Sequence, residues 1–206
     1  MKRNLLSSVA AVTAASLIAV SAMSAQSMNP RPFSIGGYAG GSMPMGDFKN
    51  RSDVGWHAGA FGSMTVAGSL SVRLDGAYSD FGNKVFTFGD TVITAGTKIF
   101  HTTVDAQYDL GTQSELEAGG GSIPYISAGV GFYRFSYEDS CSGTTGCSNF
   151  VLGNVTETRL GFNVGAGASF FLSGFTPFVD IHYHTTSPKA GEVRFNMFLA
   201  SFGLKF

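Results

Sequence analysis

The sequence is poor in charge and lacks a long apolar run beyond its first residues. Charged residues make up 13% of the 206 residues, and the formal net charge of −1 is too mild to indicate a nucleic-acid partner. After residue 27 no apolar run approaches the ~20 residues that a membrane helix needs. The mean hydropathy is nevertheless positive. An apolar chain of this kind has to bury its apolar surface in a core or present it to lipid as a closed barrel.

Motifs for catalysis and cofactor binding are also missing. The sequence has no Walker loop, no acidic calcium loop and no Gly-x-Ser-x-Gly elbow. His182 and His184 form a His-x-His pair, but two histidines without a third close ligand are a weak zinc signal. We therefore expect no catalytic residues, no cofactor and no metal.

Cysteine is scarce, with two residues, Cys141 and Cys147, in a stretch rich in Gly, Ser and Thr. In an exported chain such a pair indicates a local disulfide. A redox pair would have the shorter C-x-x-C spacing, and the stretch holds no histidine to complete a metal site. We expect a structural disulfide.

Export is indicated by the first residues of the chain. Lys2 and Arg3 precede an uncharged segment, Leu5 to Ala22, and small residues follow it. This is the layout of a secretory signal peptide. We assign residues 1–25 to the signal peptide, with cleavage somewhere in 22–28, and residues 30–206 to a single domain.

The remainder of the chain alternates between apolar and small or polar residues, which is the period of a β-strand. Turn residues divide this pattern into eight predicted strands. They are Phe33–Gly41, Gly55–Val66, Leu70–Phe81, Lys98–Leu110, Pro124–Tyr137, Thr158–Leu172, Thr176–His184 and Glu192–Phe206. The segments 42–54, 82–97, 138–157 and 185–191 are predicted to be the longer loops. The pattern predicts an all-β, eight-stranded, antiparallel up-and-down transmembrane β-barrel.

The two faces of the strands differ in a way that sets the orientation of the barrel. One face repeats Phe, Leu and Tyr, and the other holds Gly, Ser and Ala with a few charges. A barrel of eight strands has a narrow interior, so we expect the small face inside and the large face toward lipid. The inward polar residues would then form a paired network that fills the lumen. We assign to this network Arg73, Asp75, His101, Asp105, Arg159, Asp180 and His182.

The final strand ends on an aromatic residue. Phe198, Phe202, Leu204 and Phe206 share its apolar face, and Lys205 lies on the other. We expect this strand to close the barrel by pairing with the first strand, near Phe33–Gly41.

Several segments resemble the OmpA/OmpX-like eight-stranded outer-membrane β-barrel family of Gram-negative bacteria. They are Gly36–Gly41, Pro44–Phe48, Val72–Tyr78, Gly161–Ser169, Thr176–Phe178 and the terminal Phe206. The resemblance implies location in the cell outer membrane, contact with outer-membrane lipid, and recognition of the terminal strand by the barrel-assembly machinery. It is specific to the architecture and weak for activity.

The function expected from these patterns is a structural or surface-interaction, adhesion-like role, in a monomer whose loops contact an unknown surface ligand. A small pore, a lipid-modifying enzyme and a soluble lipocalin-like periplasmic binder are the alternatives. For the enzyme, His57 or His101 are candidate bases with Ser63, Ser71 or Ser79 as nucleophiles, but nothing selects one serine. We therefore expect no enzyme.

Overall fold

The computed structural model describes residues 33–111, 121–143, 147, 154–170, 172, 174–188 and 194–206. The predicted signal peptide lies outside these residues and stays a prediction. The described chain forms eight strands: β1 (Phe33–Met45), β2 (Ser52–Ala67), β3 (Leu70–Phe88), β4 (Thr91–Asp109), β5 (Ser122–Ser142), β6 (Asn154–Phe170), β7 (Thr176–Thr186) and β8 (Asn196–Lys205). A short 3₁₀ helix, Gly46–Asn50, joins β1 to β2. Within the described ranges no helix is long and apolar enough to cross a membrane.

The strands form one closed antiparallel barrel, as the alternating pattern predicts. Each strand pairs with its neighbours in sequence, and β8 returns to β1, with Gly36 opposite Lys205 and Met45 opposite Asn196. Ile35 and Phe206 exchange two further backbone hydrogen bonds at the end of this seam. Closure leaves no open edge in the membrane-spanning part of the sheet, which a bilayer requires.

The orientation of the faces is also as predicted. In β3, Val72 and Leu74 are exposed on the outside, whereas Arg73 and Asp75 are buried in the lumen. The same alternation runs through β4 and β6. A lipocalin-like soluble barrel would turn its apolar face inward, so the outward apolar face does not fit that alternative.

The strands extend further than predicted at the end with the longer connections. Residues 82–97, predicted as a loop, are mostly strand, because Gly82 and Asn83 form a register shift in β3 rather than a turn. The hairpin then turns at Gly89 and Asp90, where Gly89 has a positive φ of 58°. The β-branched and aromatic residues on both sides of this turn favour extended structure.

Aromatic rings and glycines are paired inside the barrel. A Cβ at Gly36 would overlap the ring of Phe61, and one at Gly203 would overlap the ring of Phe178. The rings of Tyr38, Tyr125, Tyr133 and His182 similarly cover Gly59, Gly167, Gly161 and Gly165. A narrow lumen therefore accepts large rings because the neighbouring strand contributes no side chain there.

Candidate functional site in the barrel lumen

The lumen holds a buried ion-pair cluster built on Arg73. Its Nη2 lies 2.6 Å from Oδ2 of Asp75 and its Nη1 lies 3.8 Å from Oδ2 of Asp180. The guanidinium also stacks 3.9 Å from the ring centroid of Phe61. All three charged side chains are buried. One cation thus lies between two carboxylates, one from β3 and one from β7.

Two tyrosines complete the hydrogen bonding of these carboxylates. The Tyr38 hydroxyl donates to Asp75, and the Tyr125 hydroxyl donates to Asp180 over 3.0 Å. Buried carboxylates need such donors because water cannot reach all their lone pairs. We call Tyr38, Arg73, Asp75, Tyr125 and Asp180 the Arg73 cluster.

A second polar group lies beside the Arg73 cluster and is centred on Asp105. Its carboxylate accepts hydrogen bonds from Thr103 Oγ1 and Asn163 Nδ2, each over 2.6 Å. The Asn163 carbonyl oxygen lies 3.3 Å from Nδ1 of His182. His182 Nε2 is 3.5 Å from Asp180 Oδ2, so this histidine connects the two groups.

Three aromatic side chains stack next to this group. The His101 ring lies 5.4 Å from that of Tyr133 and 5.0 Å from that of His184. The Tyr133 hydroxyl is 2.8 Å from Nδ1 of His184. Despite this clustering, no set of three or more His, Cys, Asp or Glu in the described ranges is arranged to hold a metal ion.

The space left between these groups is small. It is a cavity of about 20 Å³, and a site of that volume admits about one water molecule. Its walls come from the Arg73 cluster, the Asp105 group and the histidines. They are Tyr38, Arg73, Asp75, His101, Thr103, Asp105, Asp180, His182, His184, Leu199 and Ser201. Side chains therefore fill this part of the lumen.

Arg159 lies in a different place from the rest of the predicted network. Its Nη2 is 2.7 Å from Oε1 of Glu157, which also accepts a hydrogen bond from Tyr137. Its guanidinium lies 4.6 Å from the ring centroid of Phe195. Arg159 therefore belongs to the barrel mouth, and the other six predicted residues line the interior.

An apolar cluster occupies the same mouth, and we call it the mouth plug. Phe48, from the 3₁₀ helix, is 1% exposed and packs edge-on against Phe81 and Phe195 at 4.9 and 5.1 Å. The remaining members come from three strands. They are Ile99, Tyr133, Phe135, Met197 and Leu199. The first connection of the barrel thus folds inward over the polar lumen.

Among the described residues, none of the candidate serines hydrogen bonds to His57 or His101. His57 contacts Ser42 through Nδ1 at 3.2 Å and Ser201 through Nε2 at 3.0 Å. Ser71 contacts Thr65 instead, and Ser79 Oγ has no hydrogen-bond partner among the described residues. Ser201 also lines the cavity described above.

The two cysteines are joined by a disulfide, with their Cα atoms 5.7 Å apart. Cys141 lies near the end of β5, which projects beyond the barrel mouth. The bond therefore ties the tip of a strand to the start of the connection that follows it. It lies far along the chain from every residue of the Arg73 cluster.

The family model for the outer membrane protein beta-barrel domain matches residues 12–206. The chain belongs to this family. Its location is accordingly the bacterial outer membrane, which the strands of the barrel cross. The strands project furthest at the end with the mouth plug, and by the rule of this architecture that end faces outward and the opposite end faces the periplasm.

Solved structures of outer-membrane proteins share this fold at low sequence identity. Neisserial surface protein A is 14% identical and aligns over 84% of this chain and 96% of its own, with a TM-score of 0.57. A major outer membrane protein from Thermus thermophilus is 11% identical over 84% and 97%, with a TM-score of 0.50. The N-terminal barrel of Pseudomonas aeruginosa OprF is 18% identical over 84% and 97%, with a TM-score of 0.47. A search of curated protein sequences found no match.

The outer surface of this family member carries the aromatic residues expected at membrane interfaces. The rings of Trp56 and Tyr78 lie 5.9 Å apart, and those of Tyr183 and Phe198 lie 5.2 Å apart, toward the extracellular end. Tyr108 is exposed at the periplasmic end. Such rings are favoured at the boundary between hydrocarbon and headgroups.

Sequence reasoning missed several of the residues that complete the lumen. Tyr38, Tyr125 and Asn163 supply the hydrogen bonds, and their inward position follows from the same alternation that identified Arg73. The alternation therefore already placed these side chains inside the barrel, although they were not assigned to the polar network. Phe48 lies outside any strand pattern, so alternation gave no indication that it is buried.

Proposed function

We propose that this protein is a closed outer-membrane barrel that acts in structure and surface contact rather than in transport. The observation that carries the proposal is the filling of the described lumen by side chains, since the cavity beside the Arg73 cluster measures about 20 Å³ and the mouth plug packs at the extracellular end. A conducting path needs a continuous water-filled route, and wider barrels than this one provide it.

The contact surface is the part of the sheet that continues above the barrel, which we call the extracellular sheet. It comprises residues 84–88, 91–97, 135–142 and 154–158 of four consecutive strands. The pairing of β3 with β2 ends at Asn83, so residues 84–88 pair with β4 alone. A free edge of this kind can add a strand from a partner.

The extracellular sheet also exposes apolar side chains where no lipid covers them. Val85 is 59% exposed and Phe88, beside the hairpin turn, is 65% exposed. Apolar groups on a projecting edge are typical of interaction surfaces. This supports a contact role for the β3–β4 hairpin.

The closed lumen is tested by single-channel recording in planar bilayers. We expect no discrete current steps from the wild-type protein, because side chains block the lumen. Steps that depend on correctly folded protein would contradict the closed lumen and favour the small pore.

The contact role is tested by shortening the hairpin in register. Deleting 85–88 and 91–94 leaves Lys84 opposite Ala95 with the Gly89-Asp90 turn between them. We expect cells that express this variant to lose adhesion to surfaces and to one another, while heat-modifiable gel migration is kept. A matched variant, Val85→Ser with Phe88→Ser, retains the hairpin length and should lose most of the adhesion. Wild-type adhesion no greater than that of cells without the protein would contradict the contact role.

A further inference from the structure

The outward face of the barrel changes from apolar to polar at a defined position on β4 and on β5. On β5, Val130 and Phe132 are more than half exposed, and the next outward residues are Arg134 and Ser136. On β4 the change falls between Phe100 and Lys98. This change marks the extracellular limit of the hydrocarbon belt. Arg134 is the first polar residue on β5 beyond that limit.

Arg134 lies at the edge of the apolar belt. It is exposed, directly opposite Phe100 on β4 and Thr158 on β6, and it follows Phe132 on its own strand. Two of its four nearest outward neighbours are therefore exposed phenyl rings, and the other two carry hydroxyl groups. A guanidinium in this setting extends its head away from the hydrocarbon, toward the headgroups.

The carboxylates on this surface are directed to Lys98 and not to Arg134. Lys98 Nζ lies 2.8 and 2.7 Å from the two oxygens of Glu138, and Asp80 stands opposite Lys98 in the register. Lys98 is the diagonal neighbour of Arg134. Because Glu138 is already paired with Lys98, it does not supply Arg134 with a free carboxylate. Among the residues that the structure describes, no side chain hydrogen bonds to Arg134 or forms an ion pair with it.

We propose that Arg134 binds the phosphate group of an anionic lipid in the outer leaflet. The guanidinium presents two parallel N–H groups that match phosphate oxygens, and the phenyl rings of Phe100 and Phe132 pack against the adjoining acyl chains. Lipid headgroup phosphates lie at the level where the outward face becomes polar, which is the level of Arg134. The site lies outside the lumen and borders the extracellular sheet at Thr158.

The test is a titration of the detergent-solubilised, folded protein with bisphosphorylated lipid A, followed by native mass spectrometry. The same titration is made with the dephosphorylated lipid. We expect Arg134→Gln to weaken binding of the phosphorylated lipid by about tenfold or more, the usual effect of losing a hydrogen bond to a charged group. The dephosphorylated lipid should bind wild type and variant equally and weakly.

Two controls make the outcome specific. Lys49→Gln removes an exposed cation from the 3₁₀ helix at the mouth and should leave the affinity unchanged. Arg134→Lys keeps the positive charge but lacks the two parallel N–H groups of the guanidinium, so it should bind the phosphorylated lipid with intermediate affinity. This variant still tests the proposal if Arg134→Gln does not fold. Equal binding of the phosphorylated lipid by wild type and Arg134→Gln would overturn the proposal. Displacement of the lipid by millimolar inorganic phosphate would overturn the assignment to a lipid headgroup.

Discussion

Replacing Arg73 by methionine should be among the most damaging changes in the barrel. The substitution keeps an apolar stem beside Phe61 but leaves two buried carboxylates, Asp75 and Asp180, without the cation that lies 2.6 and 3.8 Å from them. Removing one partner of a buried ion pair costs about 3–5 kcal/mol. Because Tyr38 and Tyr125 still donate hydrogen bonds to the two carboxylates, we expect the free energy of unfolding to fall by about 3 kcal/mol, the lower end of that range.

The measurement is urea unfolding in lipid vesicles, followed by the fluorescence of Trp56, the single tryptophan of the chain. This residue faces the membrane interface, so its emission reports transfer from lipid to water. The unfolding midpoint should fall while the slope against urea stays constant, because the same surface is exposed on unfolding. Adding Asp75→Asn to Arg73→Met removes one of the two unpaired negative charges. The double variant should therefore recover part of the lost free energy of unfolding.

A comparison with an exposed ion pair decides whether burial causes the loss of stability expected for Arg73→Met. Lys98→Met breaks the contact between Lys98 and Glu138 on the outer surface, where water screens the charges, and should cause no measurable change. A loss below about 1 kcal/mol for Arg73→Met would place it with surface pairs and refute the description of the lumen as closed.

Three further changes test other parts of the structure. Phe48→Ala should destabilise the protein by about 3 kcal/mol or more, as for other buried phenylalanines, and should make the first connection sensitive to limited proteolysis; an equally resistant variant would show that the mouth plug is not held by this ring. Gly129→Ala should reduce urea stability, because the new Cβ would overlap the Asp105 carboxylate, whereas Gly76→Ala, with open space around it, should be neutral; equal midpoints would contradict this packing. Cys141→Ser should cost about 2 kcal/mol, the chain-entropy value for a short loop, measured by the same unfolding assay, and a loss as large as that of Arg73→Met would contradict a purely local disulfide.

The alternation of residue types was sufficient to predict the fold. It identified eight strands, the closure of β8 on β1, and the outward direction of residues such as Val72 and Leu74. This works because a strand repeats every two residues, so a run of ten residues determines which side chains face lipid. The same rule placed Arg73 and Asp75 inside, but it carries no information on distance and so did not separate Arg159 from them.

The composition of the lumen was only half predictable. We expected small residues and a few charges inside, and the structure also places rings such as Phe61, Phe178 and Tyr125 there. Each of these rings lies over a glycine on the adjacent strand, so a large and a small residue share one layer of the barrel. Recognising this from sequence requires the register between strands, which a single alternating pattern does not supply.

The end of a strand and the limit of its membrane-facing surface are different positions, and β propensity alone does not distinguish them. Beyond Phe81 the chain still alternates and remains rich in β-branched and aromatic residues, so β3 and β4 continue as a hairpin past the barrel. What ends at the membrane boundary is the apolar outward face, which changes to polar between Phe100 and Lys98 and between Phe132 and Arg134. Strand length and membrane position are therefore indicated by different features of the sequence. Strand extent follows from the backbone preferences of both, whereas the membrane limit follows from the outward face alone.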